Sequence, residues 1–329
     1  MGPPSSGPVG GCDPRGVAPL PALPAWFAAT LDAAQVPGGA GRELVAGFLT
    51  GDVDPRLDGE LAAALRDAGL DERGLRAVGE GLEQAAESAK DLEDHAGAAR
   101  LFDLAAQAYG AAGDRLGRAS ALYVRGGQLR HLDHHAEAVA AFEAAAALFA
   151  ELDDDEHRSD AAYQIGATWH LAGDDETAER ELLDAAVWYV AHDDRTNHAY
   201  CAALLGEIAS ARGDHDVAVR HLEGAVAGFD AAGPADQRGL ARFTLAAALW
   251  RARRHDEAAA VLREARPILD EATRIWHVAA CDFLSGEVAF AVGDYATARS
   301  AWEAALELFE IVGDEDDVAA CRASLGSLP

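Results

Sequence analysis

Histidines are the first residues of this chain whose type and spacing could do chemistry. Twelve are present, and His131, His134 and His135 lie within one stretch of five residues. Imidazoles this close in sequence are candidate ligands for a metal ion. Carboxylates are also clustered, as in residues 153–156 and 314–317, but these runs lack the glycine-bearing loop and the closing glutamate of a calcium-binding hand. They are better explained as helix caps and solvated connectors.

Signatures of catalysis are missing from the sequence. We find no glycine-rich loop that would cradle phosphate and no Gly-x-Ser-x-Gly elbow. No nucleophile and base can be paired without an arbitrary choice. The sequence therefore predicts a protein that is not an enzyme and has no cofactor.

A pattern with a period of 40 residues organises most of the chain. A small residue marks each copy, and we call this residue the anchor. The anchors are Ala86, Gly126, Gly166, Gly206, Ala246 and Gly286. Alanine follows every anchor at 12 and 19 residues, and a large apolar residue follows at 16 and 23. Such self-similarity is typical of stacked repeats, which bury their apolar faces only against neighbours.

The repeat register explains the histidines and cysteines without a metal or a disulfide. His95, His135, His215 and His255 all stand nine residues after an anchor. Stacked helices hold such positions about 10 Å apart, too far for one ion with bonds near 2 Å. Cysteines 201, 281 and 321 stand in another column, which elsewhere holds Gly or Ala. We therefore predict structural histidines, reduced cysteines that fill a small packing slot, and no metal site.

Each copy of the pattern predicts two helices. The first runs from about eight residues before the anchor to six after it. A turn follows, clearest at Gly173-Asp174, Gly213-Asp214 and Gly293-Asp294, where Gly ends one helix and Asp caps the next. The columns at 12, 16, 19 and 23 then fall on one face of the second helix.

These residues resemble the tetratricopeptide repeat (TPR) family in a lengthened variety of about 40 residues. The resemblance implies an all-α fold, a right-handed α-solenoid of helix-turn-helix repeats. We predict a disordered Pro/Gly-rich tail over 1–24, an N-terminal helical extension over 25–77 and a C-terminal cap over 318–329. The six predicted repeats cover residues 78–117, 118–157, 158–197, 198–237, 238–277 and 278–317.

The resemblance also implies a binding surface. In that family, one face of each first helix lines a concave groove. Positions six and three residues before each anchor, and four after it, lie on that face. The predicted groove residues are Tyr123, Arg130, Tyr163, His170, Tyr200, Phe243, Trp250, Phe283 and Phe290. Aromatic and Arg side chains are common anchors of recognition, although Tyr or Phe at the minus-three position could instead only space neighbouring helices.

Charge and hydropathy narrow the partners. The formal net charge is −29, from 27 basic and 56 acidic residues, and no basic stripe suits nucleic acid. No apolar run is long enough to span a membrane, and the N-terminus does not have the pattern of a secretory signal. We predict an acidic, cytoplasmic, non-catalytic scaffold or adaptor that binds a peptide or helix of a protein partner. The alternative is a regulatory sensor that binds a small peptide or effector and switches a partner protein.

Overall fold

The structure is a computed structural model, and it describes Leu61, Leu65, Arg66 and residues 69–329. The predicted tail, residues 1–24, lies outside the described residues. So do residues 25–60, which form most of the predicted N-terminal extension. Leu61 and Leu65 are helical and fully buried.

Over the described residues the regular elements are α-helices, and they follow one another through short turns. They are α1 (Glu72–Asp91), α2 (His95–Ala111), α3 (Arg115–His131), α4 (His135–Glu151), α5 (Asp155–Leu171), α6 (Asp175–Ala191), α7 (Arg195–Ala211), α8 (His215–Ala232), α9 (Ala235–Arg251), α10 (His255–Glu271), α11 (Ile275–Ala291), α12 (Tyr295–Val312) and α13 (Glu315–Gly326). The chain divides into two compact units, Met1–Arg158 and Ser159–Pro329.

Within each unit, helices that follow one another in sequence pack together. In the first unit α1 packs on α2, α2 on α3 and α3 on α4. In the second, the same nearest-neighbour packing runs from α6 to α13, and α9 also contacts α7 and α11. This arrangement is that of a helical repeat solenoid, because each element is buried by its neighbours in the series.

The turns confirm the predicted Gly-Asp chemistry with one difference. Gly173, Gly213 and Gly293 take the left-handed backbone, with φ of 82°, 85° and 84°. Asp174 and Asp294 each accept a hydrogen bond, 3.1 Å long, from a backbone N–H three residues on. Asp214 makes no such bond.

First helices begin earlier than the sequence predicts. Helix α3 starts at Arg115, eleven residues before its anchor Gly126 rather than eight. The reason is the connector aspartate Asp114, which accepts a hydrogen bond of 2.9 Å from the Gly117 N–H and caps the helix. The predicted connector is therefore the start of the next helix.

The repeat columns form the core of both units, as predicted. Every residue at 12, 16, 19 and 23 positions after an anchor is buried, and none is more than 4% exposed. Between these large side chains, alanine allows the helix backbones to approach closely.

The anchor is small because the side chain at column 16 occupies the space beside it. A Cβ placed on Gly126 would lie 2.8 Å from the Phe142 ring, and one on Gly166 would lie 2.7 Å from Leu182 Cγ. On Gly286 it would overlap the indole of Trp302. The anchor therefore sets how closely the first and second helices of a repeat can pack.

The cysteines are free and buried, as predicted from their column. Cys201, Cys281 and Cys321 have no exposed surface. Burial raises the thiol pKa of Cys201 and Cys281 to about 12 and that of Cys321 to about 11. These groups stay protonated at neutral pH and fill space as small apolar side chains.

Two adjacent glycines in α3 give a matched test of the anchor. We expect Gly126→Ala to destabilise the protein by about 1–3 kcal/mol, because the added methyl collides with Phe142. Gly127→Ala adds its methyl to open space and should stabilise the helix by about 0.5–1 kcal/mol. Urea unfolding followed by circular dichroism measures both. Equal effects of the two substitutions would show that the anchor does not limit helix packing.

Candidate functional site

The nine predicted groove residues lie on the first helices, α3, α5, α7, α9 and α11. All nine are half-buried. They differ in this from the buried columns of the second helices, because each leaves part of its side chain accessible. We call the set the groove face. Tyr123 and Arg130 belong to the first unit and the other seven to the second, so each group is described separately.

In the first unit, Tyr123 contributes to packing. Its ring meets Phe142 edge-to-face, with centroids 5.5 Å apart, and it packs against the core cluster that contains Phe149. Phe142 is the residue that faces anchor Gly126. Tyr123 therefore also helps to hold the stacked helices in place, as the alternative explanation of the minus-three position proposed.

In the second unit, α5 and α7 place two tyrosines side by side. The rings of Tyr163 and Tyr200 are 6.2 Å apart, within the range of aromatic pairs. Tyr200 also meets the buried Phe229 edge-to-face at 4.9 Å, which fixes the ring from below. Burial raises the pKa of Tyr200, and the negative charge of Asp236 raises it further, so the hydroxyl stays neutral and can donate a hydrogen bond.

Two turns further along the same helices lies a polar pair. The His170 Nδ1 is 2.7 Å from the Asp175 carboxylate, and its Nε2 is 3.9 Å from that of Glu207. Burial raises the pKa of Glu207, and the nearby His170 opposes this shift. Asp175 was not among the predicted groove residues. It occupies the column that holds histidine in four other repeats, and this exchange of base for acid was the available signal.

The four C-terminal aromatics do not form the single exposed patch that their spacing predicts. Phe243 and Phe283 pack against one cluster formed by residues of α11, α12 and α13. Trp250 packs against the cluster that contains Leu222 and Leu262. Phe290 lies beside Trp302 and Tyr295, with ring centroids 5.6 Å and 5.5 Å apart. The exposure prediction is wrong because the helices following each aromatic residue cover part of its ring.

The histidines of the sequence cluster separate in the structure. His131 stacks on His95, with centroids 4.6 Å apart, and burial lowers its pKa. His134 instead lies 3.5 Å from Glu137. Among the described residues no three His, Cys, Asp or Glu side chains meet as a candidate metal site. None of the described helices is long and apolar enough to cross a membrane.

The packing of Trp250 predicts a stability cost that its sequence position alone does not suggest. We expect Trp250→Ala to lower the free energy of unfolding by about 1–3 kcal/mol, less than the 3–5 kcal/mol typical of a fully buried ring. Val187→Ala, at a residue that is 70% exposed, serves as the control and should change it by less than about 0.5 kcal/mol. A cost below that of the control, in urea unfolding, would show that Trp250 does not contribute to the core.

Comparisons with known proteins identify similar folds but no close relative. No family model matches the chain, and no curated protein matches it by sequence. A Rap protein solved in complex with Competence and Sporulation Factor is 11% identical, with a TM-score of 0.54 over 92% of this chain and 97% of that one. Aspartyl phosphate phosphatase F from Bacillus subtilis is 10% identical, with a TM-score of 0.57 over 90% and 86%.

A third match carries the repeat in its description. It is a signal transduction ATPase with numerous domains from Pyrococcus horikoshii, which has a tetratricopeptide repeat sensor. The identity is 12% and the TM-score 0.61, over 91% of this chain and 49% of that protein. At these identities the likeness concerns the fold. The repeat columns, the consecutive helix packing and these matches together show that the described chain has a tetratricopeptide-repeat fold.

Proposed function

We propose that the groove face binds a peptide or a short helix of another protein, and that the chain acts as a non-catalytic interaction scaffold. One observation carries this proposal. The buried columns of the second helices are closed to solvent, whereas all nine groove-face side chains stay partly accessible. The accessible set is aromatic or basic, the composition typical of recognition surfaces.

The surface of α5 and α7 supports a peptide ligand most specifically. Tyr163 and Tyr200 offer aromatic faces, and His170 with Glu207 offers a hydrogen-bonding pair. The two pairs are seven residues apart along the helices, which corresponds to about 10 Å. An extended peptide places side chains three residues apart at about the same distance. A ligand with one apolar and one polar or basic side chain at that spacing fits both pairs.

The comparisons support a binding role. The Rap protein of similar fold is described in complex with Competence and Sporulation Factor, and the ATPase of similar fold carries a repeat sensor. The sensor favours our alternative, a regulatory protein that binds an effector and switches a partner. The phosphatase among the matches shares the fold, but the sequence offers no nucleophile and base that would support catalysis here, and we keep the non-catalytic proposal.

The organisation and setting that we propose follow the sequence. Helices α1 to α12 form six repeats of two helices, and α13 covers the end by packing Val318 and Cys321 beside Phe309. A charge of −29 favours protein or peptide partners over nucleic acid. A cytoplasmic location agrees with three thiols kept free.

Selection of binding peptides from a random display library tests the groove face. We expect Tyr200→Ala to weaken the selected peptides at least 10-fold, equivalent to about 1.4 kcal/mol, because it removes one ring of the tyrosine pair. Ile311→Ala, at a residue that is 72% exposed on α12, should leave affinity unchanged. Circular dichroism must show the two variants equally folded.

Peptides that bind Tyr200→Ala as tightly as the wild-type protein would contradict the groove proposal. The same complexes separate the two functions. Small-angle scattering should show little change in dimensions on binding for a scaffold, whereas a sensor should become more compact or more extended.

A further inference from the structure

Helix α6 carries a row of exposed apolar side chains away from the groove face. Leu183, Val187 and Val190 are 44%, 70% and 62% exposed. Their spacing of four and three residues places them on one face of the helix. Single exposed apolar residues are ordinary, but an aligned row is typical of an interaction surface. We call these three residues the α6 stripe.

The repeat register shows that the stripe is not a requirement of the fold. At the position of Leu183 the other repeats hold Asp, Glu, Glu, Arg and Glu. At the position of Val187 they hold Gln, Ala, Ala, Pro and Glu, and at that of Val190 they hold Gly, Ala, Asp, Asp and Glu. Five repeats build the same helix with polar or small residues at all three places. Only the third repeat makes all three large and apolar.

The charges on α6 indicate what kind of partner fits. The helix contains five acidic residues and one basic residue, Arg180. Arg180 is held by Glu181 at 3.0 Å, which leaves little positive charge for a partner. The carboxylates of Glu176 and Asp184 lie beside the stripe and are exposed. A second copy of the chain would bring like charges together, whereas a basic partner would gain from them.

We infer that the α6 stripe is the docking site for a basic amphipathic helix of another protein. The partner would lay its own apolar row against Leu183, Val187 and Val190 and place Lys or Arg near Glu176 and Asp184. This is helix-on-helix packing with an electrostatic rim. The inference uses no residue of the groove face and does not depend on the proposed function.

A designed peptide pair tests this inference on the full chain. The probe is an 18-residue leucine–lysine peptide whose leucines follow helical spacing, and the control peptide has the same composition in an order without that spacing. The protein variant is Leu183→Gln, Val187→Gln and Val190→Gln together, which removes the apolar row without changing charge. Ile311→Gln with Val312→Gln removes exposed apolar surface at another site.

We expect the helical probe to bind the wild-type protein and to lose at least 10-fold in affinity with the triple variant. The Ile311/Val312 variant and the groove variant Tyr200→Ala should bind it within twofold of wild type. The control peptide should bind all four proteins equally weakly.

Three results would overturn the inference. Equal binding of the probe to the triple variant would assign it to general attraction by an acidic surface. A wild-type dimer that the triple variant converts to a monomer, measured by light scattering, would assign the stripe to a second copy. A wild-type monomer that excludes the probe would assign it to another segment of this chain.

Discussion

The close approach of the two helices in each repeat is the constraint on which the rest of the structure depends. A glycine or alanine in the first helix faces one large side chain in the second, as Gly126 faces Phe142 and Gly166 faces Leu182. The space beside the anchor is already filled, so the residue there must be small. Because this contact recurs every 40 residues, each repeat presents the same surface to the next, and stability is a sum of nearest-neighbour terms.

That constraint divides the residues into two classes. The columns at 12, 16, 19 and 23 serve packing and are closed to solvent. The groove face of the first helices and the outer face of the second helices are less constrained and can vary between repeats. Function is therefore to be sought where repeats differ from one another. The histidine–carboxylate pair at His170 and the apolar row on α6 both lie in the third repeat, where such differences concentrate.

The fold could be predicted from the sequence because it follows from spacing alone. Alanines at 12 and 19 and bulky residues at 16 and 23 define one helical face, and the structure buries all of them. The site was less predictable, since helical spacing gives the direction of a side chain but not what covers it. Trp250 and Phe290 point as predicted residues of the first helices should, yet neighbouring helices bury half of each ring. The contact between His170 and Asp175 depends on how a turn brings two helices together, which no column of the sequence records.

Removal of one whole repeat tests the central claim, that the anchor contact couples repeats with a fixed period. Deletion of residues 195–234 removes α7 and α8 and joins the capping residue Asp194 to the start of α9. The account predicts a helical protein with a single cooperative urea transition, because the remaining repeats keep their phase. Deletion of residues 205–234 removes three-quarters of that length, breaks the phase and should abolish the transition. Equal unfolding behaviour of the two proteins would contradict the account.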